Sequence, residues 1–341
     1  MEARVKGSQE ERHASLVTKI LVAQATLVLL FVALEVGVRL YERSTRGRPF
    51  FAPDTFISPW FPTKDYPPPL VDEQGRAFFR HRSEPVSVAK PPGVVRILAV
   101  GGSTTAGKRA FELAGTDYAL ELERLLDARG TGSRYEVLNA GADSFSSAHS
   151  LVNLYFRLFE FQPDVVLLMH NINDLSANYY GDGVRSDYSN KYLDPQFVDP
   201  RLESGRTLHG FLMRSRLLTK IQWLRRLGKT EVVPCADVGA GRAYFHRNLR
   251  EIARLCQDRG VRLVLLSQPC NLEPSEAFSL EQFQEYNREV ERVARETGSE
   301  FVDMFSLLGH DADLFLDAVH YTPEGTKAFA RILAEAVDFG P

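Results

Sequence analysis

The hydrophobic and polar positions divide the chain at two points. From Ile20 to Leu34 no residue is charged. Leu16-Val17 precede this run and Val36-Gly37-Val38 follow it, so residues 16–38 are long enough to cross a bilayer as a helix. Lys19 and Glu35 stand near its ends, where long polar side chains reach an interface. A surface helix of a globular domain shows a polar face, and this run shows none. A secretory signal has an apolar region of only ~7–15 residues followed by a small-residue cleavage site. Here the polar segment in front is long and no A-x-A pattern follows. The pattern predicts a polar tail over residues 1–15 and a transmembrane anchor over 16–38. Arg4, Lys6, Arg12 and Lys19 on one side balance Arg39, Arg43, Arg46 and Arg48 on the other, so the positive-inside rule does not choose an orientation.

The second division falls at Pro91-Pro92-Gly93. Residues 39–93 include Ser58-Pro59-Trp60-Phe61-Pro62 and Tyr66-Pro67-Pro68-Pro69. Prolines break helices and donate nothing to a sheet ladder. The aromatics argue against a fully solvated linker. An arm is expected, extended and packed in part on the domain beyond it. From Val94 onward, strand-like and helix-like stretches alternate. Val94–Val100 reads as a buried strand that runs into the Gly101-Gly102-Ser103-Thr104-Thr105 turn. Tyr118–Ala128 reads as a helix, Tyr135–Leu138 as a strand, Leu151–Phe161 as a helix and Asp164–Met169 as a strand. Helix Arg242–Asp258, strand Val261–Leu266, helix Leu280–Thr297, strand Glu300–Asp303 and a closing helix Pro323–Val337 follow. Such alternation with apolar strands implies a parallel sheet covered on both faces.

Residues 176–240 interrupt the alternation. Tyr179–Asn190 is polar and rich in Gly and Asp, but its spacing fits no calcium loop, so a solvated loop is expected. Between Ser204 and Thr230 there is no acid, while Arg214, Arg216, Lys220, Arg225, Arg226 and Lys229 alternate with Leu217, Leu218, Ile221, Trp223 and Leu224. This predicts an amphipathic helix with a solvated basic face; a lid or a membrane-surface contact is the functional alternative.

Composition removes some functions. The net charge of −3 gives no basic field for nucleic acid. Cys235, Cys256 and Cys270 are odd in number and form no CxxC, so neither a zinc site nor a disulfide framework is indicated. A Cys235–Cys270 pair is left open.

Four polar segments fall at strand ends or before the last helix. They are Gly101-Gly102-Ser103-Thr104-Thr105, Asn139-Ala140-Gly141-Ala142-Asp143-Ser144, Asn171-Ile172-Asn173-Asp174 and Asp317-Ala318-Val319-His320. A serine hydroxyl becomes a nucleophile only beside a base. Histidine suits that task near neutral pH, and a carboxylate must hold its tautomer. Asp317-x-x-His320 supplies both from one turn. Alone, each segment is ordinary: a Gly-rich turn, an Asx cap, a chance DxxH. In this order, over residues 94–337, they resemble the SGNH (GDSL-like) hydrolase family, with an anchor and arm like those of its membrane-bound bacterial members.

The resemblance implies a three-layer α/β sandwich with a five-stranded parallel sheet in flavodoxin-like order, over residues 94–341 with the insertion at 176–240. It implies a catalytic triad of Ser103, His320 and Asp317. The oxyanion donors it implies are the Ser103 and Gly141 N–H groups and the Asn173 amide. No metal or organic cofactor is expected. The expected activity is hydrolysis of a lipid, small acyl or carbohydrate O-acetyl ester through an acyl-enzyme. The alternative is O-acyl transfer to a cell-envelope polysaccharide by the same residues. The catalytic domain is expected outside the cytoplasm, on the periplasmic side of a single-pass anchor. Three departures stand out: Gly102 replaces the family's usual Asp, Asn171 its usual Gly, and Asp143-Ser144 fill a region where a second glycine is common. Asp174 is expected to brace its loop, and His149 and His170 to be hydrogen-bonded structural histidines.

A rival class is a nucleotide-binding protein. Gly102–Gly107-Lys108 matches most of a P-loop, but Arg109 stands where Ser or Thr would hold Mg²⁺. A catalytically silent carbohydrate-binding member of the same fold is a third reading, against which the intact Ser, Asn, Asp and His speak.

Overall fold

Helix α1 runs unbroken from Glu2 to Arg46. The expected tail, the anchor and the first residues of the arm are thus one helix, because no Pro or Gly interrupts it between Val38 and Gly47. Its segment Leu16–Thr45 holds an 18-residue stretch apolar enough to cross a membrane, with mean hydropathy 2.2. The apolar side chains point outward, Leu27 being 65% and Leu29 70% exposed. This computed structural model describes residues 2–46, 50, 70–71, 75–79, 81–130, 132–180, 183–192, 215–218, 220–221, 237–272 and 279–340. The Pro-rich segments at 58–69, Cys235 and most of the basic stretch 204–230 lie outside the described residues.

The chain forms two compact units, Met1–Phe56 with Asp199–Glu231, and Ile57–Val198 with Val232–Pro341. In the first, residues 215–218 and 220 dock on α1. Glu35 accepts hydrogen bonds from Ser215 Oγ (2.7 Å), Leu217 N (2.8 Å) and Arg216 N (3.1 Å), capping the helical turn that starts at Arg216. Glu42 pairs with Arg216 at 3.1 Å and with Lys220 at 2.7 Å, and Glu42 and Arg216 are both 1% exposed. Arg216 therefore departs from the expected solvated basic face: it is buried against a carboxylate.

The second unit opens with a small antiparallel sheet, β1 (Leu70–Val71), β2 (Arg76–Phe78) and β3 (Val86–Ser87). Ala77, Phe79 and Val86 are buried in the main core. Then come β4 (Val94–Gly101), short helices α2 (Ser103–Ala106) and α3 (Lys108–Ala114), α4 (Tyr118–Asp127) and β5 (Arg134–Asn139). Next are α5 (Ser147–Phe156), β6 (Val165–Met169), α6 (Ile172–Ser176), α7 (Ser189–Tyr192) and α8 (Gly239–Asp258). The chain closes with β7 (Arg262–Leu266), α9 (Leu280–Thr297), β8 (Glu300–Val302), α10 (Met304–Leu308) and α11 (Pro323–Ala336).

The five long strands form one parallel sheet in the order β5-β4-β6-β7-β8. This is the flavodoxin-like order, with β4 at the point where the chain switches direction across the sheet. Side chains alternate across it. Ile97 and Ala99 face Leu122 of α4 and Leu333 of α11, while Leu98 and Val100 face Leu154 of α5, Ile252 of α8 and Val290 of α9. The result is three layers. Arg96 is the exception in β4: fully buried, it donates to Glu136 Oε2 (2.7 and 2.9 Å) and to the Phe161 and Val88 carbonyls. The helix expected over Leu151–Phe161 is in fact two pieces, with Arg157 (φ −139°) breaking it before a 3₁₀ turn at Leu158–Phe161. In a 3₁₀ turn residues i and i+3 eclipse, which buries both Leu158 and Phe161.

Candidate active site

The site lies at the carboxyl edge of the sheet, where open α/β sheets bind ligands. Ser103 begins α2 immediately after β4. The two glycines before it are needed for close approach. A Cβ on Gly101 would sit 2.6 Å from the Met169 carbonyl oxygen, and one on Gly102 would sit 2.7 Å from Asn173 Nδ2. Gly102, the departure from the family's Asp, therefore lets the Asn173 amide close on the turn that carries Ser103.

His320 lies in the short loop closed by the Phe315–Tyr321 bridge, just before α11. That helix is capped by Thr322 Oγ1, which accepts from Gly325 N at 3.0 Å, with Pro323 at its first position. Leu316 N donates to the His320 carbonyl at 2.7 Å and fixes the loop. Asp317 accepts from Val319 N (3.0 Å) and His320 N (2.9 Å), and His320 Nδ1 lies 2.8 and 2.9 Å from its two oxygens. With the Nδ1–H donating to the carboxylate, Nε2 is left as an acceptor. Ser103 Oγ stands 2.8 Å from it. Burial pushes the Asp317 carboxyl up, but the His320 ring, the two backbone N–H groups and the field of His320 outweigh this and hold it well below the usual carboxylate range. A shallow depression over the site is lined by Ser103, Lys108, Arg109, His320, Tyr321 and Thr326.

α2 is held from below. Asn139, at the end of β5, donates to the Thr105 carbonyl (2.9 Å) and to Asp117 Oδ2 (2.8 Å). Asp117 caps α4 through Ala119 N and Leu120 N and takes His81 Nδ1 at 2.6 Å. Gly141 N donates to Asn139 Oδ1 at 3.0 Å, and a Cβ on Gly141 would sit 2.4 Å from Ala106 N. So the expected Gly141 donor is spent inside its own turn, and its lack of a side chain admits the α2 backbone. Ser144, where a second glycine is common, has φ 60°, the left-handed conformation that a glycine adopts freely.

Asn173 lies in α6, and its Nδ2 donates to the Phe145 carbonyl at 2.9 Å. Asn171, in place of the family's Gly, has φ −168°, which is extended and not left-handed. What it supplies is a side chain: Nδ2 donates to the Phe283 carbonyl and to Asn287 Oδ1, both at 2.8 Å. Asp174 is fully buried and accepts from Ser147 N (3.1 and 3.2 Å) and Ser147 Oγ (2.5 Å). His149 and His170 hydrogen-bond Ser146 Oγ (2.9 Å) and Ser150 Oγ (2.7 Å), and burial lowers both to about 3. The stretch expected as a solvated loop is partly buried: Tyr188 (φ 57°) and Ser189 turn inward, as does Lys191 just beyond it. Among the described residues no group of His, Cys, Asp and Glu is arranged to hold a metal ion. Cys256 and Cys270 are buried free thiols. The partial P-loop is broken at Gly107 (φ 62°) into α2 and α3.

The model of the GDSL-like Lipase/Acylhydrolase family matches residues 99–328. The chain belongs to this family. The match spans every strand end described above, from β4 to the first turns of α11. No curated protein matches the chain. Solved structures similar to this GDSL-like chain include LAE5, an alpha/beta hydrolase from the metagenome of Lake Arreo, Spain (18% identity, 71% of this chain and 94% of that one, TM-score 0.46). Others are Axe2, an acetylxylan esterase from Geobacillus stearothermophilus (18%, 72% and 96%, TM-score 0.47), and the acetyl xylan esterase AlAXEase (13%, 72% and 100%, TM-score 0.46).

Proposed function

We propose that this GDSL-like acylhydrolase is a membrane-anchored serine esterase with Ser103 as nucleophile, His320 as base and Asp317 as its orienting acid. The observation that carries the reading is the unbroken chain of contacts from Asp317 through His320 Nδ1 and Nε2 to Ser103 Oγ, each near 2.8 Å. Ser103 Oγ attacks the ester carbonyl and its proton passes to His320 Nε2. The charge on the carbonyl oxygen is met by the Ser103 N–H and the Asn173 side-chain amide. Gly141 serves by admitting the α2 backbone and not as a donor. His320 then protonates the leaving alcohol, and a water deprotonated by the same ring releases the acid. The substrate is an acyl ester, on a lipid, a small alcohol or a polysaccharide.

In this reading α1 is a retained anchor and the esterase unit faces the periplasm. The support is the buried Glu42–Arg216 pair: cleavage after Glu42 would strip Arg216 and Lys220 of their carboxylate and leave a buried charge unpaired. The test of activity uses the full chain in detergent, a fluorophosphonate probe, and p-nitrophenyl esters of short and long acids. The probe should label Ser103 alone, and Ser103→Ala should abolish labelling and reduce turnover to the residual level that binding still gives. No labelling, with a melting shift in Mg-ATP, would overturn the reading. Labelling without turnover would point to acyl transfer. For location, full-length protein in the membrane fraction, with the domain cleaved by protease added to spheroplasts, is expected; a processed soluble form would remove the anchor.

A further inference from the structure

The insertion after α6 carries a buried cation that the reaction scheme does not use. Lys191 is 2% exposed, and its Nζ lies 2.9 Å from the Asn173 carbonyl oxygen and 2.6 Å from Ser176 Oγ. The carbonyl needs such a donor. α6 tightens after one turn into the 3₁₀ turn Ala177–Tyr179, and Ala177 N donates to the Asp174 and Leu175 carbonyls. The Asn173 carbonyl is taken by Ser176 Oγ at 3.0 Å and by Lys191. The neighbouring Asn190 does the same one turn on, its Nδ2 donating to the Ala177 (2.7 Å) and Tyr180 (3.0 Å) carbonyls. Residues 190–191 thus cap the carbonyl end of the segment that carries Asn173, the role that cations and amides fill at helix C-termini.

An ammonium is costly to bury unless it is well placed. Ser176, the Asn173 carbonyl, the Tyr180 ring at 5.9 Å and the field of Asp174 surround this one, and burial still lowers it to about 7. A methionine of similar length would fill the same space without that cost. What the lysine adds is a fixed grip on the backbone of Asn173, whose side chain must stay beside Gly102 and the Phe145 carbonyl.

We propose that Lys191 is a positioning residue: through the Asn173 carbonyl it holds the Asn173 amide in the oxyanion site, so that the insertion sets the geometry of transition-state stabilisation. This rests on the esterase reading and on the donor role of Asn173. It makes the insertion part of the catalytic apparatus without any substrate contact.

The test is a double-mutant cycle on the full chain in detergent, read as kcat and KM on one p-nitrophenyl ester. Lys191→Met should lower kcat about 10- to 100-fold with KM nearly unchanged, short of the ~10²–10³ expected for losing the amide itself. In an Asn173→Ala background the same change should cost less than about twofold, because its effect is already gone. A purely structural lysine would instead lower the melting temperature and act equally in both backgrounds, which would overturn the proposal. If Lys191→Met does not fold, Ser176→Ala carries the test: it removes the other donor and should lower kcat several-fold in the wild-type background only. Should Asn173→Ala itself leave kcat intact, the oxyanion assignment fails; should only the Lys191 and Ser176 changes be silent, the positioning inference fails alone.

Discussion

Two aspartates of this chain do opposite things within the same site. Asp317 has 56% of its side chain exposed, yet its carboxyl is held well below the usual range. Asp174 is fully buried, and burial raises its carboxyl to about 6 against the hydrogen bonds from Ser147. The difference lies in what each must do. In the proposed cycle Asp317 faces a ring that gains and loses a proton, so it must stay charged throughout. Solvent, two backbone N–H groups and the ring keep it so. Asp174 faces no chemistry. It ties α6 to the start of α5 and, through Asn248 Nδ2 on Ser147 Oγ at 2.9 Å, to α8. The charge at the reacting centre is stabilised by access to water, and the charge beneath it is tolerated because its partners are fixed.

The largest effect expected is on the exposed member. Asp317→Asn should lower kcat by roughly 10³–10⁴ with the melting temperature nearly unchanged, since the imidazole loses its orienting anion while the core loses nothing. His320→Ala should be at least as damaging. Near-normal turnover in either variant would refute the roles given to this loop.

Next in size is Asn173→Ala, the residue that precedes the buried aspartate. Removing one preorganised donor should lower kcat by ~10²–10³ with little change in KM. A rise in KM alone would make Asn173 a ground-state contact. The comparison with Asp174 is sharpened here, because adjacent residues should separate cleanly into loss of rate and loss of stability.

How far the sequence discloses each region follows from the range of the interactions. β4, its Gly-Gly-Ser turn and the Asp317–His320 pair are local patterns within a few residues, and they are legible. So are the helix caps at Ser279 and Thr322. The contacts beneath the site are not local. Lys191 meets Asn173 from 18 positions away, and Asn139 meets Asp117 from 22. In the other unit, Arg216 meets Glu42 from 174 positions away. In each case one polar residue reads as solvated until its partner is placed. Arg96 inside an apolar run, and Tyr188 in a left-handed turn within a polar stretch, are hidden for the same reason. The contact of the Gly141 N–H with Asn139 Oδ1, two residues away, is equally unremarkable in sequence.

The smallest expected effect concerns the buried member, and its sign distinguishes it. An unfolded aspartate titrates near 3.9, whereas Asp174 in the folded chain titrates at about 6. Between roughly pH 4 and pH 6 the folded chain therefore holds a proton that the unfolded chain has released. Stability from this group falls as pH rises through that window, by at most about 2–3 kcal/mol. Asp317, with its lowered carboxyl, works the other way: its contribution is present above the unfolded value and is lost as pH falls through the folded one. Lys191, lowered to about 7, adds stability as pH rises from 7 toward the usual lysine range. The measurement is the denaturant midpoint of the full chain in detergent at pH 4.5 and at pH 6.5. Asp174→Asn keeps an acceptor for Ser147 but removes the titration. The wild-type midpoint should drop between the two pH values by more than the variant's does. An equal drop, or a steeper one in the variant, would mean that Asp174 stays ionised beneath the oxyanion loop, and the contrast with Asp317 would then lie only in exposure.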